Sequence, residues 1–190
     1  MGTPEHMIPF GSNTETSHHQ LERETKTLEN LRDSFPENSK KFYDQYFEDV
    51  KESSDFFNLD LQKFKLHYNP DGTIVSADLP ITFPKKSQGP SGSAHGGSIS
   101  FVLDASLGVP LGFANLLPEE SIMVTRELSK IEILKPIPTG EEVTIEVTPV
   151  KMELPRKFWM SATIKKGDEV LARADGFFLK VPIADMLKKE

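Results

Sequence analysis

Two features of this 190-residue chain combine reactive residue types with a defined spacing. They are the run Gly89-Pro-Ser-Gly-Ser-Ala-His95-Gly96-Gly97 and, nine residues after His95, Asp104. The run ends where an apolar stretch begins, over residues 99–117. Glycines at a helix start leave backbone N–H groups unobstructed at the positive end of the helix dipole, where they can polarise a carbonyl or stabilise an oxyanion. The same glycines would also serve tight packing of a loop against a sheet. Asp104 is the one carboxylate in the apolar stretch, and it is either a structural hydrogen-bond acceptor or a reacting group. Gly96 and Asp104 lie eight residues apart, about 12 Å along a helix axis, too far for both to touch one carbonyl carbon. They could cooperate only across two copies of the chain, in a two-fold dimer with composite sites. His95 could serve as a base, or bond to backbone at the edge of the loop.

Other chemistries have less support. The chain has no cysteine, which removes disulfides, thiol catalysis and Cys-ligated zinc. The histidines form no cluster with metal-ligand spacing, and no nucleophile elbow, phosphate loop or dinucleotide fingerprint occurs, so neither metal nor cofactor is expected. The net charge is −7, and basic residues group only in pairs, such as Lys85-Lys86 and Arg156-Lys157, against nucleic-acid binding. That charge is unevenly placed. Residues 1–60 carry 13 acidic and 6 basic side chains, whereas residues 61–190 carry 16 of each.

The elements that must position Gly96 and Asp104 are readable from periodicity. Asp104, Pro110 and Asn115 argue that residues 99–117 form a buried core helix and not a membrane span. The helix is expected over residues 95–108, with Pro110 kinking or ending it. Phe64, Leu66 and Tyr68 alternate with polar residues, Asn69-Pro-Asp-Gly72 supplies a turn, and residues 74–81 read as a second strand. Four more strands are expected over residues 123–134, 142–153, 157–165 and 170–181, joined as an antiparallel meander. A single helix apolar on most sides must be wrapped by such a sheet, which makes the fold α+β. Ahead of it, residues 1–16 are expected to be mobile, and Ser17 with Gln20 resembles a capping box. A helix is expected over residues 17–34, carrying Leu21, Leu28, Leu31 and Phe35. A second would start near Ser39 with an aromatic stripe that docks on the main domain or meets a partner. The expected division is an acidic helical extension over residues 1–55 and one domain over residues 56–190. The first 20 residues lack a basic n-region and an apolar h-region, so a cytoplasmic protein is expected.

The segment from Gln88 to Asp104 resembles the acyl-CoA thioesterases of the hotdog fold, in the branch related to phenylacetyl-CoA thioesterase. The signature is His-Gly-Gly followed, seven residues after the second Gly, by a carboxylate, and Gly97 plus seven is Asp104. Val124-Thr125-Arg-Glu-Leu-Ser129, Lys135-Pro-Ile-Pro-Thr-Gly140, Arg156-Lys-Phe-Trp-Met160 and Ala174-Asp-Gly-Phe-Phe-Leu179 look like the strands and corner that follow, so the likeness runs over about residues 57–181. The resemblance implies a long central helix wrapped by a curved antiparallel sheet, and homodimers, with dimers of dimers a further option. It implies that the Gly96 N–H polarises a thioester carbonyl while Asp104 of the facing subunit attacks it or activates water. Thr125, or second Ser129, would assist; His95 would orient loop and thioester; Gln88 would position water and Gly97 would adjoin the substrate. Arg156-Lys157 and Lys85-Lys86 are candidates for the CoA phosphates, with a solvated charged turn as the alternative.

One residue too many between Leu128 and Pro136 suggests a β-bulge near Lys130, which leaves the face occupied by Thr125 open. The acyl pocket would be lined by Phe101, Leu107 and Leu111. Two rival functions remain. One is a non-hydrolytic acyl-CoA binder or sensor on the same scaffold. The other is a hydratase, which needs an Asp–His pair, and His67 has no obvious partner in the sequence.

Overall fold

Strand signals dominate the second half of the chain, and the computed structural model pairs them into one sheet. The structure describes residues 24–27, 30, 56–113 and 121–182. The strands are β1 (Glu24–Thr27), β2 (Asn58–Leu59), β3 (Lys65–Tyr68), β4 (Ile74–Thr82), β5 (Ser121–Ile133), β6 (Glu142–Glu153), β7 (Lys157–Lys166) and β8 (Glu169–Pro182). They form an eight-stranded antiparallel sheet in the order β1-β3-β4-β6-β7-β8-β5, with β2 also pairing β4. The β3–β4 turn is the expected one: Gly72 has a φ of 83°, and Asp71 accepts from the Thr73 hydroxyl and amide. Those two bonds, the hydroxyl first, hold the Asp71 carboxyl below its usual range.

The four C-terminal strands do not form a simple meander. β6, β7 and β8 follow one another, but β5 pairs with β8 at the far edge and β6 lies beside β4. The connection over residues 134–141 explains why. It contains Pro136 and Pro138, which do not suit a tight hairpin, and it crosses the end of the sheet instead. Its middle residue Ile137 is fully buried, and its polar backbone is satisfied by other segments: Ile137 O accepts from Ala94 N at 2.8 Å, and Gly140 N donates to Phe83 O at 2.8 Å.

A second difference concerns the N-terminal third. Glu24–Thr27 is a strand antiparallel to β3, where helical spacing predicted part of a helix over residues 17–34. Residues 22–27 hold no apolar side chain to anchor a helix, while Thr25 and Thr27 are β-branched and β3 offers an open edge. Lys26 Nζ lies 5.1 Å from the centre of the Tyr68 ring, and Thr25 Oγ1 lies 3.1 Å from His67 Nδ1. The helix expected from about Ser39 lies outside the described residues.

Helix α1 (Gly96–Leu107) runs across the concave face, and a break at Gly108 separates it from α2 (Val109–Phe113). Pro110 therefore falls in the first turn of α2, where its missing N–H costs nothing. Ile99, Val102, Leu103, Ser106 and Leu107 form the buried face of α1 against the inward residues of the sheet. Among the described residues, no helix is long and apolar enough to cross a membrane. Helix and sheet approach closely at Gly176 of β8, where an added Cβ would lie 2.8 Å from Leu107 Cδ1 and 2.9 Å from Phe178 Cε2. Both neighbours are themselves buried, so neither can swing away. Gly176→Ala is accordingly expected to lower stability by about 1–3 kcal/mol, seen as a lower urea midpoint with an unchanged slope.

Candidate active site

The start of α1 is built by its preceding loop. His95 N donates to Ser87 O at 2.8 Å, Gly89 N to Ser93 O at 2.7 Å, and Gln88 bridges Ala94. Gly89 permits this fold-back, since a Cβ there would sit 3.2 Å from His95 Cα. His95 is the N-cap: its Nδ1 accepts from Gly97 N at 3.0 Å, and its carbonyl begins the helical ladder by accepting from Ile99 N. With Nδ1 accepting from Gly97, a neutral ring carries its proton on Nε2, and His95 holds the start of the helix through this nitrogen. The Gly97 N–H is committed to the cap, which leaves Gly96, at the first helical position, as an N–H without an intrahelical acceptor.

Asp104 does not sit in the core. It is half-buried on the flank of α1 that faces β5, where Thr125 Oγ1 donates to its Oδ1 at 3.4 Å, a long bond for a hydroxyl donor. The register of β5 decides which hydroxyl can do this. Thr125 opposes Phe178 on the inner face, whereas Ser129 opposes Asp175 on the outer face. The expected bulge is present: pairing with β8 shifts between Ser129 and Glu132, and Lys130 has a φ of 50°. A second bulge, between Thr125 and Glu127, was not foreseen. It turns the polar run Thr125-Arg126-Glu127 so that Thr125 and Leu128 both face inward, and the broken alternation there is its only sequence signal.

The other candidates fall at two ends of the molecule. Gln88 and Lys85-Lys86 belong to the loop at the start of α1. Gly96 is close to the end of β5, since a Cβ on it would be 3.5 Å from Ile133 Cδ1. Arg156 and Lys157 lie at the opposite end of the sheet, where Lys157 opposes Leu179, next to the Phe178 that opposes Thr125. They stand with Asp104 and away from Gly96 of the same chain. Lys157 is already 3.2 Å from Glu153, whose carboxyl is held below its usual range by Lys151 first and Lys157 second. Of the expected acyl-pocket residues, Leu107 and Leu111 are buried in the core and only Phe101 is open to solvent.

His67 has the partner that the sequence did not reveal. Its Nε2 lies 2.8 Å from Asp78 Oδ2. The pair is on the outer face of the sheet, since the neighbouring Leu66 and Tyr68 point into the core, so it does not adjoin Asp104.

An antiparallel sheet curled around one central helix, entered through a glycine-rich loop, defines the hotdog architecture. Solved structures share it. A thioesterase family protein from Silicibacter pomeroyi matches 76% of this chain and 98% of its own, with 20% identity and a TM-score of 0.55. The E. coli PaaI protein from the phenylacetic acid degradation operon matches 76% of this chain and 94% of its own, with 13% identity and a TM-score of 0.54. A third solved chain, a thioesterase superfamily protein, is 26% identical over 61% of this chain, with a TM-score of 0.49, and this chain spans 53% of its length. No protein-family model matches the sequence, and no curated protein matches it. The resemblance drawn from the residues is thus met at the level of fold.

Replacing the cap tests its role in holding the helix start. His95→Ala is expected to lose about 0.5–2 kcal/mol of stability in urea titration, and His95→Asn, which can cap in the same way, to recover most of it.

Proposed function

We propose that the protein hydrolyses acyl-CoA thioesters to the free acid and CoA. The observation that carries this reading is the pairing of Asp104 with Thr125, on a helix whose first N–H, about two turns away, lacks an intrahelical acceptor. A thioester carbonyl placed against the Gly96 N–H becomes more electrophilic, and the oxyanion that develops on attack is stabilised where it forms. Asp104 removes a proton from the attacking water as its oxygen bonds to the carbonyl carbon. Collapse of the intermediate breaks the C–S bond, and the proton passes to the departing thiolate. The Thr125 hydroxyl, bonded to Oδ1, orients the carboxylate and leaves Oδ2 toward the water.

A two-fold homodimer supplies both groups to one carbonyl. Among the described residues β5 has no strand on its outer side, and Ile131 and Ile133 near its end are exposed. Gly96 adjoins Ile133 and Asp104 adjoins Thr125. Antiparallel pairing of β5 with its copy about an axis near Ser129 would set Thr125 and Asp104 of one subunit opposite Ile133 and Gly96 of the other. Gln88 and Lys85-Lys86 of one subunit would then face Arg156 and Lys157 of the other across the same cleft. These cations are our candidates for the CoA phosphates, with the Gln88 amide positioning water.

Two variants test the mechanism and the composite site together. Proline is tolerated at the first helical position, and His95 already has the extended backbone that must precede it, so Gly96→Pro deletes the N–H and little else. It is expected to cut kcat by roughly 100- to 1,000-fold with an unchanged melting temperature. Asp104→Asn is expected to abolish release of free CoA. Mixing and refolding the two inactive variants together should restore activity, because a mixed dimer contains one intact site. Failure of the mixture to regain activity would place both groups in one subunit. Tight acyl-CoA binding without thiol release by the wild type would favour a binder over an enzyme.

A further inference from the structure

The interface between helix and sheet is closely packed along the buried face of α1. Val102, Leu103 and Leu107 are fully buried, and Gly176 is already so close that a Cβ would meet Leu107 at 2.8 Å. An apolar group attached to a carbonyl that reacts at Asp104 must therefore lie on the outward side of α1. Gly97, Phe101 and Asp104 share that side by their spacing of four and three. Asp104 leans toward β5, where Thr125 meets it. Phe101 leans to the opposite flank, where its ring centre lies 5.4 Å from that of Phe56 and 6.1 Å from that of Phe57. Phe57 is buried and anchors the group in the core, while Phe56 and Phe101 remain 48% and 43% exposed. Two large rings are thus kept in water within one helical turn of the candidate carboxylate, where covering them with an apolar ligand is favourable.

We propose that Phe101 and Phe56 form the acyl-chain track of this site and select thioesters of straight, apolar chains long enough to cross both rings. The inference rests on the hydrolase reading for the position of the carbonyl. Phe101 begins about 4.5 Å along the helix from Asp104, and the Phe56 ring centre lies 5.4 Å from that of Phe101. At roughly 1.3 Å of advance per methylene, a butanoyl chain reaches only Phe101, whereas an octanoyl chain spans both.

The test is the dependence of kcat/KM on chain length from acetyl-CoA to decanoyl-CoA. In the wild type it should rise about fourfold per methylene between butanoyl and octanoyl and flatten beyond. Phe56→Ala should reduce the octanoyl-to-butanoyl ratio by roughly tenfold or more, mainly through KM, and Phe56→Leu should restore most of it. Val150→Ala removes an exposed side chain of β6 that takes no part in the proposed site and serves as the control. An unchanged ratio in Phe56→Ala overturns the proposal. So does a uniform loss at every chain length accompanied by dissociation of the oligomer, which would make the rings a subunit contact. Calorimetry with butyl and octyl thioether analogues of CoA separates this inference from the hydrolase reading. If no thioester is cleaved but the octyl analogue binds with a Phe56-dependent advantage, the track stands and the hydrolase reading falls. If thioesters are cleaved without any chain-length gradient, the track falls and the hydrolase reading stands.

Discussion

The site depends on where α1 begins, and that point is fixed by backbone hydrogen bonds from two distant segments. Ser87 O takes the His95 N–H from one side, and Ile137 O takes the Ala94 N–H from the other. Each of these donors precedes the helix and has no helical partner of its own, so each must be met elsewhere or be left unsatisfied. The crossing connection over residues 134–141 meets one of them while burying Ile137. The detour of β5 to the far edge of the sheet is therefore coupled to the helix start: the chain that leaves β5 is what holds the loop. His95 completes the arrangement by occupying the Gly97 N–H, so that Gly96 stays available.

The helix has two duties on opposite sides. Its buried face must approach β8 so closely that only glycine fits at position 176, and this locks α1 in depth and rotation. That lock in turn fixes where the opposite face presents Asp104. Packed interiors do not deform gradually, so a carboxylate on such a helix keeps its place without hydrogen bonds of its own to spare. The hydroxyl of Thr125 meets it only through a long bond of 3.4 Å.

Much of this was legible in the sequence because it rests on period and spacing. Alternation located β3 to β8 within a few residues, the apolar run located α1, and the interval from Gly96 to Asp104 set the two well apart along one helix. The excess residue before Pro136 signalled the bulge at Lys130. What escaped was decided by pairing, which a linear pattern does not encode. A short connection looked like a hairpin because nothing local reveals that Ile137 has a place to be buried. The strand at residues 24–27 looked helical because the leucines flanking it repeat at helical spacing, while the open edge of β3 that captured it lies some 40 residues away. The bulge at Arg126 left only a polar run, so the face of Thr125 could not be assigned. His67 and Asp78 meet because they sit on neighbouring strands, and their separation in sequence has no meaning of its own.

The short strand β1 has a further consequence, for the way copies of the chain can associate. Without it, β3 and β5 would both be unpaired edges, and a sheet with two open edges can add neighbours at both sides without limit, as fibrils do. With β1 in place, one boundary of the sheet is four residues long and carries Glu24 and Lys26, a poor template for another chain. Only β5 remains long enough to recruit a partner, among the described residues. A segment far from the candidate site in sequence thus leaves β5 as the long unpaired edge of the sheet among the described residues.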